Sequence, residues 1–387
     1  MTDSSAGNLL PDVAVVTMRS GATPQNATYL LLNVLSELTT VSLVTVMLSE
    51  ESNIHGSYDV TEIARGAKAD GLLRTMLLFV RNQLRLCRAI RRLDEPVIYF
   101  FGGTAYSLPI VFAKLIGKTV VVQPRGDVPL TLRLEWEERY PDILARALAA
   151  SVALLEFVSL SVADRIVTYT ESMAEELGLG RFHEKLYPNG TRYIALEDEF
   201  TPRIPIEERE RRVGMIGRLD IEKGIEELIG AVSRLPADIT FRFVGDGAHR
   251  ETVEKRLASE IDAGQVELTG WVDHDEIPTH LNELRLLVLA SEPTEGLPTA
   301  IQEAFACGTP VYATPVSGIP SVVVEGETGF LMEDRSPDRI AEKIESILDR
   351  NDLPEISEGC REFAVDKYSF EASVDNFERL LTDLQRE

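Results

Sequence analysis

Short apolar runs rich in β-branched residues recur along the whole chain, and helix-like segments separate most of them. In the first half the runs fall at 13–18, 43–48, 97–101, 119–122 and 165–169, with helical pattern at 27–38, 108–115 and 172–177 among the intervals. A second series follows at 213–216, 240–244, 265–268, 284–289, 309–313 and 330–332. Runs of this kind suit strands buried on both faces, and strands alternating with helices require a parallel sheet covered by helices on each side. Two such series make two Rossmann-like sheets, in keeping with 387 residues, more than one core ordinarily serves. A shorter piece at 185–187 runs into the turn Pro188-Asn189-Gly190, and 197–212 is charged and broken by proline. The expected division is therefore an N-terminal domain at 1–187, a linker at 188–210 and a C-terminal domain at 211–367. At the end Val374, Phe377, Leu380, Leu381 and Leu384 stand at helical spacing.

Composition narrows the class. Hydrophobic residues make up 44% of the chain, enough for well-buried cores. The net charge of −24 argues against general nucleic-acid binding. Only eight of the 39 cations are Lys, an acidic and Lys-poor balance that resembles proteins of salty cytoplasms. Cys87, Cys307 and Cys360 lack metal-site spacing and read as free thiols in apolar helical surroundings. Residues 1–12 have no signal-peptide pattern. The nearest approach to a membrane span, 147–162, is interrupted by Glu156 and reads as a buried helix. A soluble, cytoplasmic protein is expected.

The chemistry concentrates at 291–320. Glu292, Pro293, Thr294 and Gly296 end the preceding strand in a loop, and Pro298 suits the start of a helix over 299–307. Gly308 fits the position just past that helix, and Pro310 bars its continuation. Glu295 precedes the helix and Glu303 lies within it. Eight helical residues separate two groups by roughly 12 Å, too far to share a proton. Carboxylates so spaced can instead hold hydroxyls at two ends of one ligand, while the helix N-terminus favours an anion. Hydroxyls and phosphate together describe a sugar nucleotide.

The whole stretch resembles the donor-binding segment of family 4 retaining glycosyltransferases (glycosyl transferases group 1). The resemblance is carried by Glu295-Gly296, Glu303-Ala304, Ala306-Cys307-Gly308-Thr309-Pro310 and Ser317-Gly318-Ile319-Pro320. It implies a GT-B fold, two Rossmann-like domains with parallel sheets and a C-terminal crossover helix, here 368–387, returning to the N-terminal domain. It also implies transfer of a sugar from a nucleotide-sugar donor to an acceptor hydroxyl with retention, in the synthesis of a glycan, glycolipid or polysaccharide, with no bound metal or other cofactor. Glu303 would bind the ribose hydroxyls, and Glu295 with the amides of Gly296 and Leu297 the donor sugar.

Gly217-Arg218-Leu219-Asp220-Ile221-Glu222-Lys223-Gly224 follows the first strand of the second series, where phosphates bind in such sheets. By the same resemblance Arg218 and Lys223 hold the donor diphosphate. Gly245, in Phe243-Val244-Gly245-Asp246-Gly247, marks a strand-end turn near the nucleotide; Arg250 stands where a dinucleotide fingerprint wants a small residue. Asp273-His274-Asp275, with His280 nearby, superficially offers metal ligands, yet lies where the family has a variable polar turn. In the first half only Gly21 matches the glycines that approach the donor phosphate. Arg125, in Gln123-Pro124-Arg125-Gly126-Asp127, replaces a histidine that many relatives carry beside the reacting sugar, and Arg125, Asp127 and Gly102 are candidates for the acceptor side.

Arg74, Arg81, Arg85, Arg88 and Arg92 form a helical stripe opposite Met76, Val80, Cys87 and Ile90, with no acid between Asp70 and Asp94. Such a helix resembles membrane-association surfaces of glycosyltransferases with lipid-linked acceptors, so peripheral contact with a membrane is a further expectation. Two alternatives remain: a nucleotide-sugar epimerase of the same fold, and a Rossmann nucleotide-binding protein that transfers nothing.

Overall fold

The computed structural model describes residues 10–18, 22–49, 52–64, 72–137, 140–190, 193–197, 199–294 and 296–386. Gly21 and Glu295 lie outside the described residues. The chain divides into two compact units. The first comprises Met1–Tyr169, Gly178–Arg192 and Glu371–Glu387; the second, Thr170–Leu177 and Tyr193–Phe370.

In the first unit the order is β1 (Val13–Thr17), α1 (Ala22–Leu38), β2 (Val41–Thr45), β3 (Asp59–Glu62), α2 (Leu72–Ile90), β4 (Val97–Phe101) and α3 (Ser107–Leu115). There follow β5 (Thr119–Gln123), α4 (Val128–Glu137), α5 (Asp142–Val162), β6 (Arg165–Val167) and, after α6 (Glu171–Glu176) of the second unit, β7 (Leu186–Tyr187). All seven strands are parallel in the order β3-β2-β1-β4-β5-β6-β7. The apolar runs are the core: β1, β2 and β4 are buried throughout. Right-handed crossovers place α2, α3 and α5 on one face of the sheet and α1 on the other.

The second unit continues with β8 (Arg212–Ile216), α7 (Ile225–Val232), β9 (Thr240–Val244), α8 (Arg250–Arg256), α9 (Ala258–Asp262), β10 (Val266–Gly270) and α10 (Ile277–Glu283). Then come β11 (Leu286–Leu289), α11 (Thr299–Ala306), β12 (Val311–Ala313), β13 (Gly329–Leu331), α12 (Pro337–Leu348) and α13 (Leu353–Tyr368). Its six parallel strands run β10-β9-β8-β11-β12-β13. The last helix, α14 (Phe370–Arg386), belongs almost wholly to the first unit. There Phe377 lies 6.2 Å from the ring of Tyr99, and the Tyr187 hydroxyl donates to the carbonyl of Asn376 at 2.5 Å.

Several expectations change. The segment expected as a linker is divided: Pro188–Asn189–Gly190 stay with the first unit, while Arg209 is buried in the second. The Arg209 guanidinium donates to the carbonyls of Leu284 (2.7 Å) and Cys307 (3.0 Å) and to the Thr309 hydroxyl (2.8 Å). Burial lowers its pKa to about 10. The helix expected to be buried at 147–162 is α5, and only 22% of its most apolar window is covered. Val80, expected on the packed side of α2, is 52% exposed. Cys307 and Cys360 are buried and free, and burial pushes the Cys307 thiol up to about 12; Cys87 is half-buried.

Candidate functional site

In both sheets the strand order reverses beside the first strand, between β8 and β11 in the second unit and between β1 and β4 in the first. In open α/β sheets the loops at such a reversal part and leave a crevice beyond the carboxyl ends of the strands. The second unit sets the segment 217–224 on one side of this point and 290–303 on the other. They are tied together: the Glu292 amide donates to the carbonyl of Glu222 at 2.8 Å. Arg335 reaches Glu292 at 2.5 Å, Glu227 at 2.8 Å and the Ala290 carbonyl at 3.1 Å. Gly224, at φ +68°, lies so close that a Cβ there would sit 2.2 Å from the Ala290 oxygen.

The neighbouring strand ends are equally tight. Gly217 N–H donates to Val244 O at 2.9 Å, and Gly245 N–H to Gly270 O at 3.0 Å. A Cβ on Gly245 would meet Gly217 O at 2.0 Å, which together with φ +132° requires glycine. Into this frame the chain places its cations. Arg218 is exposed and bonds Asp220 at 2.6 Å, with Glu222 as a second partner. Lys223 is only 8% exposed, in the single turn that precedes α7.

On the other side, Gly296 O accepts from Gly318 N–H at 2.6 Å, and Leu297 is buried. Helix α11 begins after Pro298 and ends where Gly308 takes φ +63°. Glu303 is buried in it, and its Oε1 lies 3.1 Å from Nε2 of His274, in the turn after β10. The His274 ring also packs 5.4 Å from Phe200. Thus Gly217, Arg218, Lys223, Gly245, Gly296, Leu297 and Glu303 all belong to the second unit, at the carboxyl ends of β8, β9 and β11.

Sequence reasoning missed two features. His274 was noticed only as a metal-like residue; its carboxylate partner is Glu303, a pairing across β10 and α11 that no spacing displays. His280 instead faces Arg242 at 3.2 Å, and burial with that cation lowers its pKa. The second is Ser317, the one non-glycine residue at positive φ among the described residues, φ 53°. Its amide donates to the Glu176 carboxylate on α6. Strained backbone of this kind clusters at ligand sites.

In the first unit Gly102 and Gly103 turn at φ +73° and +63° beyond β4. The Arg125 guanidinium stacks over Phe101 at 5.0 Å, and its Nε is buried without a hydrogen-bond partner among the described residues. Asp127 is engaged as a helix cap: its Oδ1 accepts from the Leu130 amide at 2.8 Å and starts α4. On α5, Glu156 accepts from the Thr104 hydroxyl at 2.5 Å. Burial pushes its carboxyl up to about 7, against the Thr104 bond and with help from the charge of Asp127.

Residues 197–383 match the family model described as glycosyl transferases group 1. Among curated relatives, an alpha-D-kanosaminyltransferase of Streptomyces kanamyceticus is 27% identical over 324 residues, 80% of this chain and 81% of that one. An uncharacterised glycosyltransferase of Methanocaldococcus jannaschii is 28% identical over 174 residues, 44% of each chain. The chain thus spans less than half the length of that relative. Among solved structures, sucrose-phosphate synthase from Thermosynechococcus elongatus superposes with a TM-score of 0.74 at 19% identity, covering 97% of this chain and 99% of that one. Anabaena HepE, solved in complex with UDP, gives 0.71 at 16% identity, covering 96% and 100%. At these identities the shared property is the fold, and it is the two-sheet arrangement already described. The chain has the GT-B fold, and over residues 197–383 it matches the model of the glycosyl transferases group 1 family.

Proposed function

We propose that the protein transfers a sugar from a nucleotide-sugar donor to an acceptor hydroxyl, with retention, in glycan or polysaccharide synthesis. The observation that carries this reading is the second unit's switch point. It sets a cationic loop with Arg218 and Lys223 beside the segment that leads to Glu303, within the stretch that matches the family. Arg218 and Lys223 are assigned to the diphosphate, where fixed cations stabilise charge developing on the departing nucleotide. Arg218 already holds two carboxylates, so the diphosphate takes the place of Asp220 and Glu222 as its partner. Glu303 is assigned to the ribose hydroxyls, with His274 fixing the carboxylate from its other side. Glu295 and the amides at 296 and 297 are assigned to the sugar. No cofactor or metal takes part in this reading.

HepE was solved with UDP, and this supports a uridine nucleotide as the first donor to test. The experiment offers UDP-, GDP- and ADP-sugars with and without a pool of glycan and lipid-linked acceptors, and measures released nucleoside diphosphate. Release that depends on acceptor supports transfer; the anomeric configuration of the product, read by proton NMR, tests retention. Conversion of the donor sugar with no acceptor present would identify an epimerase instead. Absence of turnover together with nucleotide binding would leave a binding protein.

A further inference from the structure

The turn after β12 touches the loop assigned to the donor sugar, and a helix from far back in the chain holds that turn. The chain leaves β12 through residues 314–318 and enters a single helical turn, Ile319–Ser321. Within this stretch Ser317 is buried at φ 53°. A residue with a Cβ takes that left-handed backbone only where its surroundings over-determine it.

Those surroundings are α6 on one side and Gly296 with Leu297 on the other. The Ser317 amide donates to the carboxylate of Glu176, the last residue of α6. The start of α6 is fastened to the same turn. The Ser172 amide donates to the Ser321 hydroxyl at 3.1 Å, and that hydroxyl donates to the Ser172 hydroxyl at 2.8 Å. On the other side the Gly318 amide donates to the Gly296 carbonyl at 2.6 Å. A Cβ on Gly318 would sit 2.6 Å from that oxygen and 3.2 Å from the Leu297 Cβ, so a side chain there would push the two segments apart.

One peptide plane carries this contact into the site. A trans peptide points its C=O and its N–H in opposite directions. With the Gly296 oxygen tied to Gly318, the Leu297 N–H is aimed away from the turn, and it has no hydrogen-bond partner among the described residues. This is one of the amides assigned above to the donor sugar, and a rotation of the plane would re-aim it.

We infer that Glu176 is a positioning residue for the donor sugar: it holds Ser317 in its left-handed geometry, so that Gly318 fixes the peptide between Gly296 and Leu297. The inference rests on the proposed function, because it needs a sugar at that amide. Helix α6 precedes the residues that match the family model, so this control comes from outside the matched stretch. Glu176 is exposed, and replacing it opens no cavity.

The test measures dissociation constants by calorimetry on the full chain for UDP with UDP-glucose, GDP with GDP-mannose and ADP with ADP-glucose. The pair that the parent binds most tightly is carried forward. Dividing the constant for the nucleotide sugar by that for the diphosphate isolates the contribution of the sugar. Glu176→Ala should raise this ratio about tenfold, the worth of one charge-assisted hydrogen bond, and leave diphosphate binding within about twofold. Glu176→Gln keeps an oxygen for the Ser317 amide and should raise the ratio by less than about threefold. Adding Ser317→Gly to Glu176→Ala should bring the ratio back by at least about threefold, because glycine takes φ 53° without the carboxylate. Circular dichroism should be unchanged throughout. An unchanged ratio in Glu176→Ala, a parallel change in both constants, or no recovery with glycine overturns the inference and leaves the nucleotide-sugar reading standing. A parent chain that binds none of the six compounds overturns that reading, and the inference with it.

Discussion

Lys223 and Glu303 are both buried polar residues at the same reversal of strand order, and the proposed reading makes each a direct ligand of the nucleotide. Lys223→Ala and Glu303→Ala should each weaken nucleoside-diphosphate binding by about tenfold to a hundredfold in calorimetry, the range of one charge-assisted hydrogen bond. Circular dichroism should stay unchanged; full binding by both variants would remove the site from these residues. Glu156 supplies a pH prediction. Its carboxyl titrates near 7 in the folded chain against an ordinary 4.5. The folded form therefore keeps its proton while the unfolded chain loses it, so stability present below pH 4.5 is lost as pH rises through 7. Glu156→Gln, which cannot titrate, should match the parent near pH 5 and exceed it near pH 8 by on the order of 1–3 kcal/mol in urea unfolding. Arg218 and Lys223 were legible as a pair because they sit in one contiguous run after a strand. The contact of His274 with Glu303 was not, because the two are 29 residues apart and meet only through the fold.

At the scale of elements, the alternating apolar runs foretold all but one of the strands to within a few residues. The exception is β3, whose residues 59–62 are mostly exposed at the sheet edge and so carry no apolar run. Helix α4 was missed although Asp127 followed by Pro129 is a helix start, capped as observed. The burial of α5 was misjudged because composition says how apolar a helix is but not which neighbours remain to cover it. The strand-end turns offer a sharp test of packing. Gly224→Ala would drive a methyl against Ala290 O and strain φ +68°, and should destabilise the chain by about 2–4 kcal/mol in urea unfolding. Arg209→Met should lower stability by about 3 kcal/mol, since it strands the Leu284 and Cys307 carbonyls away from water. Neither substitution alters a proposed ligand of the nucleotide.

For the molecule as a whole, a net charge of −24 opposes compaction through self-repulsion. Added salt shortens the reach of that repulsion from about 10 Å at 0.1 M to about 3 Å at 1 M. The melting temperature of the full chain should therefore climb with potassium chloride; a fall would show that ion pairs such as Arg242 with Glu267 and Glu283 outweigh the repulsion. The return of the chain through α14 has a different kind of consequence. Tyr99 and Tyr187 belong to strands made early, whereas their partners Phe377 and Asn376 emerge from the ribosome only after the whole second unit. The second unit is translated before either partner appears. The first must wait with one side of its sheet open, so the half of the protein that begins first is completed last.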